Sequence, residues 1–214
     1  MVFRILLLCV GLPFLTGCNM GGVTGSGVKI SETRDVPAFA GLELHGSVDV
    51  VVSVDEEQSV TIEVDDNLIQ FITTEVNDNK LVIGSTQAYN TRMGVHVNIQ
   101  VPELRSVAVS GSGKVTIKGV IGESFDVRIS GSGHATAVGE VQRLAVRVSG
   151  SGNAELSQLT ANNVSIRVSG SGTVRVQASE TLDATVSGSG SVRYLGSPEV
   201  TENVSGSGSV RAQK

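Results

Sequence analysis

Hydrophobic and polar residues alternate along much of this chain, and the alternation is clearest in its second half. The segments Phe125–Ile129, Leu144–Val148 and Val164–Val168 each carry apolar residues at every other position. A period of two places successive side chains on opposite faces, which is typical of a β-strand with one buried face. The pattern therefore predicts a chain built from short strands.

The tetrapeptide Ser-Gly-Ser-Gly separates these strands at nearly regular intervals. Successive copies begin 20, 19, 20, 18 and 18 residues apart. The six copies are Ser110–Gly113, Ser130–Gly133, Ser149–Gly152, Ser169–Gly172, Ser187–Gly190 and Ser205–Gly208. A fixed period near 20 residues indicates a solenoid, in which each repeat is one coil that buries its apolar face against its neighbours. Glycine suits a repeated corner because it reaches positive φ without a Cβ clash.

We expect an all-β fold, a parallel β-helix or β-solenoid with coils of about 20 residues and Ser-Gly-Ser-Gly corners. In each coil, two short strands are joined by this corner. A variable segment, such as Lys118–Ser124 or Ser157–Asn163, is expected to form the other corner. Stacked coils lie about 4.8 Å apart, so the five steps between six corners should span about 24 Å.

The first half of the chain carries the same pattern in a less regular form. Strands are predicted at Leu42–Leu44 and Val48–Val54, on either side of His45-Gly46-Ser47, which is a degenerate copy of the corner. The excursions between strands are longer here. We therefore predict that residues 34–214 form a single domain, in which the first half supplies the first coils and a cap.

Residues 1–17 are predicted to be a lipoprotein signal peptide. Arg4 precedes the apolar segment Ile5–Phe14, which is too short to span a bilayer as a mature helix. The segment leads into Leu15-Thr16-Gly17-Cys18, which resembles the lipobox of bacterial lipoproteins. Lipidation is therefore expected at Cys18, and the alternative is an ordinary secretory signal with a cysteine near its end.

Residues 18–33 are predicted to be a flexible tether. The segment is rich in Gly, Ser and Thr and shows no apolar period, and Gly25-Ser26-Gly27 is assigned to it. Acyl chains on Cys18 would hold the protein at a membrane. Asn19 stands where the inner-membrane retention signal of many lipoproteins has Asp, which favours the outer membrane.

Composition narrows the classes of function. The formal net charge is −5, which gives no basis for binding nucleic acid. Aromatic residues make up 3% of the chain, so Val, Ile, Leu and Ala must fill the core. Cys9 lies in the predicted signal peptide, and removal of that peptide leaves no cysteine pair for a disulfide.

Candidate catalytic and metal-binding residues are few. His45, His96 and His134 have no metal-ligand spacing to one another or to a cysteine. Asp126 and Asp183 share a place in the repeat but are predicted to lie three coils, or about 14 Å, apart, which is too far for two carboxylates acting on one glycosidic bond. No carboxylate follows the corner glycines, as calcium-binding repeats require. We expect no metal, no cofactor and no catalytic residue.

Two columns of arginines recur at fixed places in the repeats. The first column lies two residues before successive corners, and the second lies six residues after the start of later corners. They consist of Arg128, Arg147 and Arg167, and of Arg175, Arg193 and Arg211. Both columns are on the polar phase of their strands and are predicted to face outward. They could bind a polyanion, such as acidic polysaccharide or lipid phosphate. Alternatively the side chains spread into water and cover apolar surface, and the sequence favours this second interpretation.

The repeated Val-Ser-Gly-Ser-Gly blocks, together with Val36–Phe39, His45–Val50 and Leu81–Ile83, resemble the putative auto-transporter adhesin head GIN domain family. These are bacterial envelope proteins of unknown function, and the likeness extends from about Arg34 to Lys214. The resemblance implies a β-helix-like fold and an exported or lipid-anchored setting. It brings no catalytic residues with it.

Together these features predict a non-catalytic, lipid-anchored cell-envelope protein whose β-helix acts in binding, adhesion or structure. Its expected partners are the membrane, through Cys18, and a polysaccharide or another envelope protein. One alternative is a periplasmic stress or scaffold protein that binds another protein. A further alternative, which the residues support less, is an enzyme that acts on polysaccharide. The sequence leaves the oligomeric state open.

Overall fold

The computed structural model describes residues 22–55 and 57–213, and most of them lie in strands. The strands of the first half are β1 (Val23–Thr24), β2 (Lys29–Thr33), β3 (Gly41–Gly46), β4 (Asp49–Val54), β5 (Ser59–Asp65), β6 (Ile72–Asn77), β7 (Lys80–Ser85), β8 (Tyr89–Asn90) and β9 (His96–Val101). Those of the second half are β10 (Ser106–Gly111), β11 (Lys114–Gly131), β12 (His134–Gly150), β13 (Asn153–Gly170), β14 (Thr173–Gly188), β15 (Ser191–Leu195), β16 (Glu199–Gly206) and β17 (Ser209–Ala212). Within the described ranges, no helix is long and apolar enough to cross a membrane.

The second half is a parallel β-solenoid, as the sequence predicts, and the fold has about five turns. Strands β10 to β14 pair in chain order and in parallel, each with the next. β14 then pairs with two strands: its first residues pair with β15, and its last residues pair with β16. The corner glycines are in register, as in the pairs Gly111 with Gly131 and Gly131 with Gly150. Residues at the same place in successive repeats therefore lie next to one another, in a row that runs along the solenoid.

The variable segments turn each coil at its second side, as predicted, but in β11 to β14 they do so within one continuous strand, so the prediction of two separate short strands is wrong there. Strands β11 to β14 run through these segments unbroken for 16 to 18 residues, so Lys118–Ser124 and Ser157–Asn163 lie inside strands. The register with the next coil shifts there, for example between Lys118 and Val120. A bulged strand can bend without ending its pairing, which explains how the coil turns at this side.

The core is a stack of aliphatic side chains, one layer for each coil. One inward column consists of Val115, Ala135, Ala154, Val174 and Val192, and each of these is at most 2% exposed. Phe39 and Phe125 are buried as well. Because each coil covers one side of its neighbour's apolar layer, burial of the core depends on stacking.

The first half continues the solenoid and closes one end of it. β3 and β4 pair with β10 and β11, so the corner at Gly46 joins the row of corners. β7 and β9 form the next layer on β3 and β4. The antiparallel strands β6 and β5 lie beyond them, and β2 pairs with β5 as the outermost strand on that side. We call the end formed by β1, β2 and β5 to β9 the cap.

Residues 22–33 do not behave as the predicted tether, because they are bonded to the cap. β1 pairs with β8 and β2 pairs with β5. Between them, the N–H of Ser26 donates to Asn67 Oδ1 at 2.9 Å, and the N–H of Gly27 donates to Asp65 Oδ1 at 2.7 Å. We call residues 22–28 the N-terminal strap. The remaining tether residues, 18–21, lie outside the described residues.

Candidate functional site

Each Ser-Gly-Ser-Gly corner is held to the next one by backbone hydrogen bonds. The N–H of Ser132 donates to the carbonyl oxygen of Gly111 at 2.9 Å, and the N–H of His134 donates to that of Gly113 at 3.0 Å. Gly131 has a φ of 115°, and a Cβ on it would lie 2.7 Å from the carbonyl oxygen of Gly111. Glycine is thus required both by the backbone angle and by the close contact with the coil beneath. The result is one continuous row of corners along the solenoid.

The first arginine row runs beside this row of corners. Arg128, Arg147 and Arg167 are register partners in three consecutive coils, and all three are exposed, as predicted. They line a groove of about 470 Å³ together with the first serines of the corners, Ser130, Ser149, Ser169 and Ser187. Like charges on neighbouring strands repel each other, so the row favours the approach of anions.

A single carboxylate contacts two members of the first row. Asp126 Oδ1 lies 3.4 Å from Arg128 Nη2 and 3.6 Å from Arg147 Nη1. Arg167 has no ion pair with any residue that the structure describes. Exposed ion pairs of this kind contribute at most about 1 kcal/mol, so an anionic ligand can compete with Asp126 for the two guanidinium groups.

The second arginine row lies on the other side of the row of corners and farther along the solenoid, and Ser169–Gly172 is the corner that has an arginine of each row beside it. Arg175, Arg193 and Arg211 are register partners in β14, β15 and β17, and Glu155 of β13 precedes them in the row. Arg175 Nη1 lies 2.8 Å from Glu155 Oε2. Partial burial acts to raise the pKa of Glu155, but hydrogen bonds from Ser157 and Arg175 outweigh it and hold that pKa below its usual value. Glu155 therefore stays ionised, and its negative charge offsets the positive charge of Arg175 at that end of the row.

Both rows thus flank one edge of the solenoid, which the sequence analysis did not recognise. Each arginine of the first row lies two residues before a corner, and each arginine of the second row lies shortly after one. Lys114 adds a further cation directly after the first corner. We call the Ser-Gly-Ser-Gly corners with the two arginine rows and Lys114 the basic edge. The columns that contain these cations also contain acidic residues, and these are Glu43, Asp49, Glu63, Glu75 and Glu155.

The opposite edge, where the variable segments lie, is rich in carboxylates. Exposed acidic residues lie there in most coils, although the variable segment Ser157–Asn163 has none, and we call them the acidic edge: Glu103, Glu123, Glu140, Glu180 and Glu199. Exposed Lys118 lies on the same edge. Arg105 and Arg143 pair with Glu103 and Glu123. The domain is therefore electrically asymmetric across its width. Aligning the variable segments, as well as the corners, would have revealed this asymmetry from the sequence.

A second groove, of about 370 Å³, lies on the other side of the first arginine row. Asp126 and Asp183 border it, and the register places Ala145 and Ser165 between them. Three coil steps correspond to about 14 Å, as predicted from the sequence. Carboxylate pairs of glycosidases lie about 5 to 9.5 Å apart, so these two residues do not form such a pair.

The three histidines are held by local contacts. His45 Nε2 lies 3.1 Å from Glu43 Oε1, the ring of His96 lies 2.9 Å from the carbonyl oxygen of Met93, and the ring of His134 lies 3.3 Å from the hydroxyl of Thr136. Across residues 22–55 and 57–213, no three His, Cys, Asp or Glu side chains come together in a group that could hold a metal ion. Cys18, the predicted lipidation site, lies outside the described residues.

These features define a parallel β-solenoid that presents a periodic polar edge. Residues 38–198 match the family model described as putative auto-transporter adhesin, head GIN domain, and the chain belongs to this family. The match confirms the resemblance that the repeated motifs indicate. No curated protein matches the chain.

Several solved bacterial structures share the fold. A putative adhesin from Bacteroides fragilis is 24% identical, with a TM-score of 0.70 and an alignment over 90% of this chain and 100% of the other. A putative adhesin from Parabacteroides distasonis is 21% identical, with a TM-score of 0.60 and the same coverage. A putative lipid binding protein from that species is 20% identical, with a TM-score of 0.54 over 91% of this chain and 100% of the other. At these identities the likeness establishes the fold alone.

Proposed function

We propose that this protein is a non-catalytic, lipid-anchored component of the bacterial cell envelope whose basic edge binds a linear polyanion. The observation that carries the proposal is the placement of both arginine rows along one edge, in register with the corners between them. Three guanidinium groups in register on each side of the row of corners form a larger cluster of positive charge than the covering of apolar surface requires. The acidic edge on the opposite side strengthens this argument, because the two signs of charge are separated across the domain.

The chemistry of the edge suits phosphate or carboxylate groups repeated along a chain. Guanidinium groups bind such oxyanions through paired hydrogen bonds, and the serine hydroxyls beside the first row can bind further oxygens. The groove beside Arg128, Arg147 and Arg167 runs from coil to coil, which fits an extended ligand better than a compact one. Some proteins of this fold are called putative adhesins and one a putative lipid binding protein, so we propose a surface polymer and a lipid as the two ligands to compare.

The membrane anchor is proposed from Leu15-Thr16-Gly17-Cys18. Diacylglyceryl transfer to the thiol of Cys18, followed by cleavage before it, would leave Cys18 as the first residue of the mature protein. More than one acyl chain on a single residue gives stable attachment to a bilayer. Asn19 in the following position supports the outer membrane as the destination.

The polyanion proposal can be tested with residues 19–214 produced without the signal peptide, a protein that carries no acyl chains. Its binding to immobilised polyphosphate and to polygalacturonate would be measured over a range of salt concentrations. We expect the Arg147→Ser/Arg167→Ser variant to bind at least about tenfold more weakly and with a shallower salt dependence. The matched control is Arg105→Ser/Arg143→Ser, which removes two arginines from the acidic edge. Equal losses in the two variants would overturn the assignment of binding to the basic edge.

A further inference from the structure

The N-terminal strap reaches the solenoid on the same side as the basic edge. Between β7 and β9, residues 86–95 take the place of a Ser-Gly-Ser-Gly corner, because His96 is the register partner of Asp49 just as Lys114 is. β8 lies within this excursion, and β1 of the strap pairs with β8. The strap therefore continues the row of corners at the cap end.

The strap is held between two parts of the cap: β8 on one side, and Asp65 and Asn67 on the other. In addition to the bonds from Ser26 and Gly27, Asn67 Nδ2 donates to the carbonyl oxygen of Thr24 at 2.8 Å. Asp65, which accepts the Gly27 bond, is 1% exposed. A Cβ on Gly25 would lie 2.5 Å from the Asp65 carboxylate, so the strap approaches as closely as glycine permits. The start of the strap consequently has a defined position on the domain.

The proposed anchor lies only a short distance along the chain from this fixed point. Four residue steps separate Cys18 from Gly22, and four fully extended residues span at most about 14 Å. An acylated Cys18 would therefore hold the cap end of the row of corners close to the lipid headgroups. The sequence alone predicts a much looser connection, because it assigns residues 18–33 to a tether.

Charge then decides which side of the solenoid lies against the bilayer. The basic edge starts from the same row of corners and extends along the solenoid, whereas the acidic edge is on the opposite side. A bilayer that contains anionic lipid attracts clustered Arg and Lys within about 8 Å of its surface at physiological salt, and it repels carboxylates. Lipid phosphates would also relieve the repulsion between stacked arginines, since each guanidinium can bind a phosphate.

We propose that the solenoid lies lengthwise on the membrane that holds its anchor, with the basic edge on anionic lipid headgroups and the acidic edge facing away. This inference rests on the proposed anchor at Cys18 and names the source of the polyanion as the bilayer. An upright solenoid, which would touch the membrane only through its cap, is the competing arrangement.

The test uses two label sites in one coil. Ser151, in a corner of the basic edge, and Gln158, in a variable segment of the opposite side, are both exposed. The full chain contains two cysteines, Cys9 and Cys18, so an introduced cysteine would be the free thiol of the processed, acylated protein. Ser151→Cys and Gln158→Cys would each carry a fluorophore in vesicles containing headgroup spin-labelled lipid. Phosphatidylcholine vesicles would be compared with vesicles that also contain phosphatidylglycerol.

With phosphatidylglycerol present, we expect strong quenching at residue 151 and little at residue 158, and a smaller difference in phosphatidylcholine alone. Adding Arg147→Ser/Arg167→Ser to each labelled protein should remove the difference in quenching between residues 151 and 158. Equal quenching at the two sites would overturn the inference, because both lie in one coil and an upright solenoid would hold them at similar heights.

The outcomes also separate this inference from the function on which it rests. If quenching is equal but the unacylated protein still binds polyanions through its basic edge, the edge faces a soluble polymer such as acidic polysaccharide. If mass spectrometry finds Cys18 unmodified and the protein does not float with vesicles, both the anchor and the membrane orientation are wrong.

Discussion

Asp126 Oδ1 lies 3.6 Å from Nη1 of Arg147 in the next coil and 3.4 Å from Nη2 of Arg128 in its own strand. One carboxylate therefore lies between two guanidinium groups of a row in which no other acid contacts the arginines, as far as the described residues go. The contact reduces repulsion within the row and at the same time competes with any anionic ligand. Asp126 is thus expected to oppose binding while stabilising the free protein slightly.

Replacing this carboxylate should improve polyanion binding. Asp126→Asn removes the competing charge, and since exposed ion pairs contribute up to about 1 kcal/mol, we expect a gain in affinity of up to about fivefold. The urea midpoint should change little for the same reason. Titration with polyphosphate at fixed salt would measure the effect.

Asp183→Asn is the matched control for Asp126→Asn. Asp183 occupies the same column three coils away and has no ion pair with any of the residues described here. An equal gain in both variants would mean that overall charge, and not the contact with Arg128 and Arg147, sets the affinity.

The corner glycines should be far less tolerant of substitution than other glycines. Gly150 has a φ of 110°, and a Cβ on it would lie 2.6 Å from the carbonyl oxygen of Gly131. Gly150→Ala should therefore reduce the free energy of unfolding by about 2 to 4 kcal/mol, through backbone strain and a forced shift between coils. Urea denaturation followed by circular dichroism would measure this loss.

Gly122→Ala provides the comparison for the corner variant. Gly122 is exposed, and no atom lies within 4 Å of a Cβ built on it. Its substitution should change stability by no more than about 0.5 kcal/mol. Similar losses in the two variants would contradict the role assigned to the corner.

The periodic part of the fold could be predicted from the sequence because each coil repeats the same local pattern. Apolar residues at every other position and glycine at fixed intervals specify strands and corners without knowledge of distant contacts. The arginine rows follow from the same periodicity. The shape of the variable segments does not, since the bulge at Gly119 exists only in the pairing between coils, where Lys118 and Val120 have the consecutive partners Val138 and Gly139.

The cap could be predicted much less well, because its contacts join residues far apart in the chain. Ser26 and Asn67, which share a hydrogen bond, are 41 residues apart. Read from the sequence, the glycines of the strap indicate a flexible segment. In the folded protein, Gly25 instead allows the backbone of the strap to approach Asp65 closely. Only the folded structure brings these two segments together.

Acid should weaken the attachment of the strap. A hydrogen bond from Thr91, followed by the one from the Gly27 N–H, outweighs the opposing effect of burial and lowers the pKa of Asp65. A carboxyl whose pKa is lower in the folded state stabilises the fold above its ordinary pKa of about 3.9, and this contribution is lost as the pH falls through the lower, folded value. The amide resonance of Gly27 should therefore shift with pH only in the strongly acidic range.

Asp65→Asn would test this explanation, since an amide keeps an oxygen acceptor for Gly27 but does not titrate. We expect the acid-induced shift of the Gly27 resonance to disappear in this variant. Thr91→Val should move the midpoint of the shift towards higher pH, because it removes the hydrogen bond that lowers the pKa of Asp65 most. Identical titrations in wild type and Asp65→Asn would show that another group is responsible.

The proposed anchor predicts where the protein will be found in fractionated cells. Wild type should sediment with the outer membrane. Residues 19–214, exported behind a signal peptide that is cleaved without lipidation, should be released, since the folded domain without acyl chains has only the reversible attraction of its basic edge for lipid. High salt should remove any of this unacylated chain that remains on the membranes and should leave the wild type in place. Asn19→Asp should redirect the acylated protein to the inner membrane, because it restores the residue found in the retention signal of many lipoproteins. If the chain without Cys18 stays with the membranes at high salt, anchoring through this residue is wrong. Because high salt screens the attraction of the basic edge, a part of the chain other than Cys18 and the basic edge would then hold the protein at the membrane.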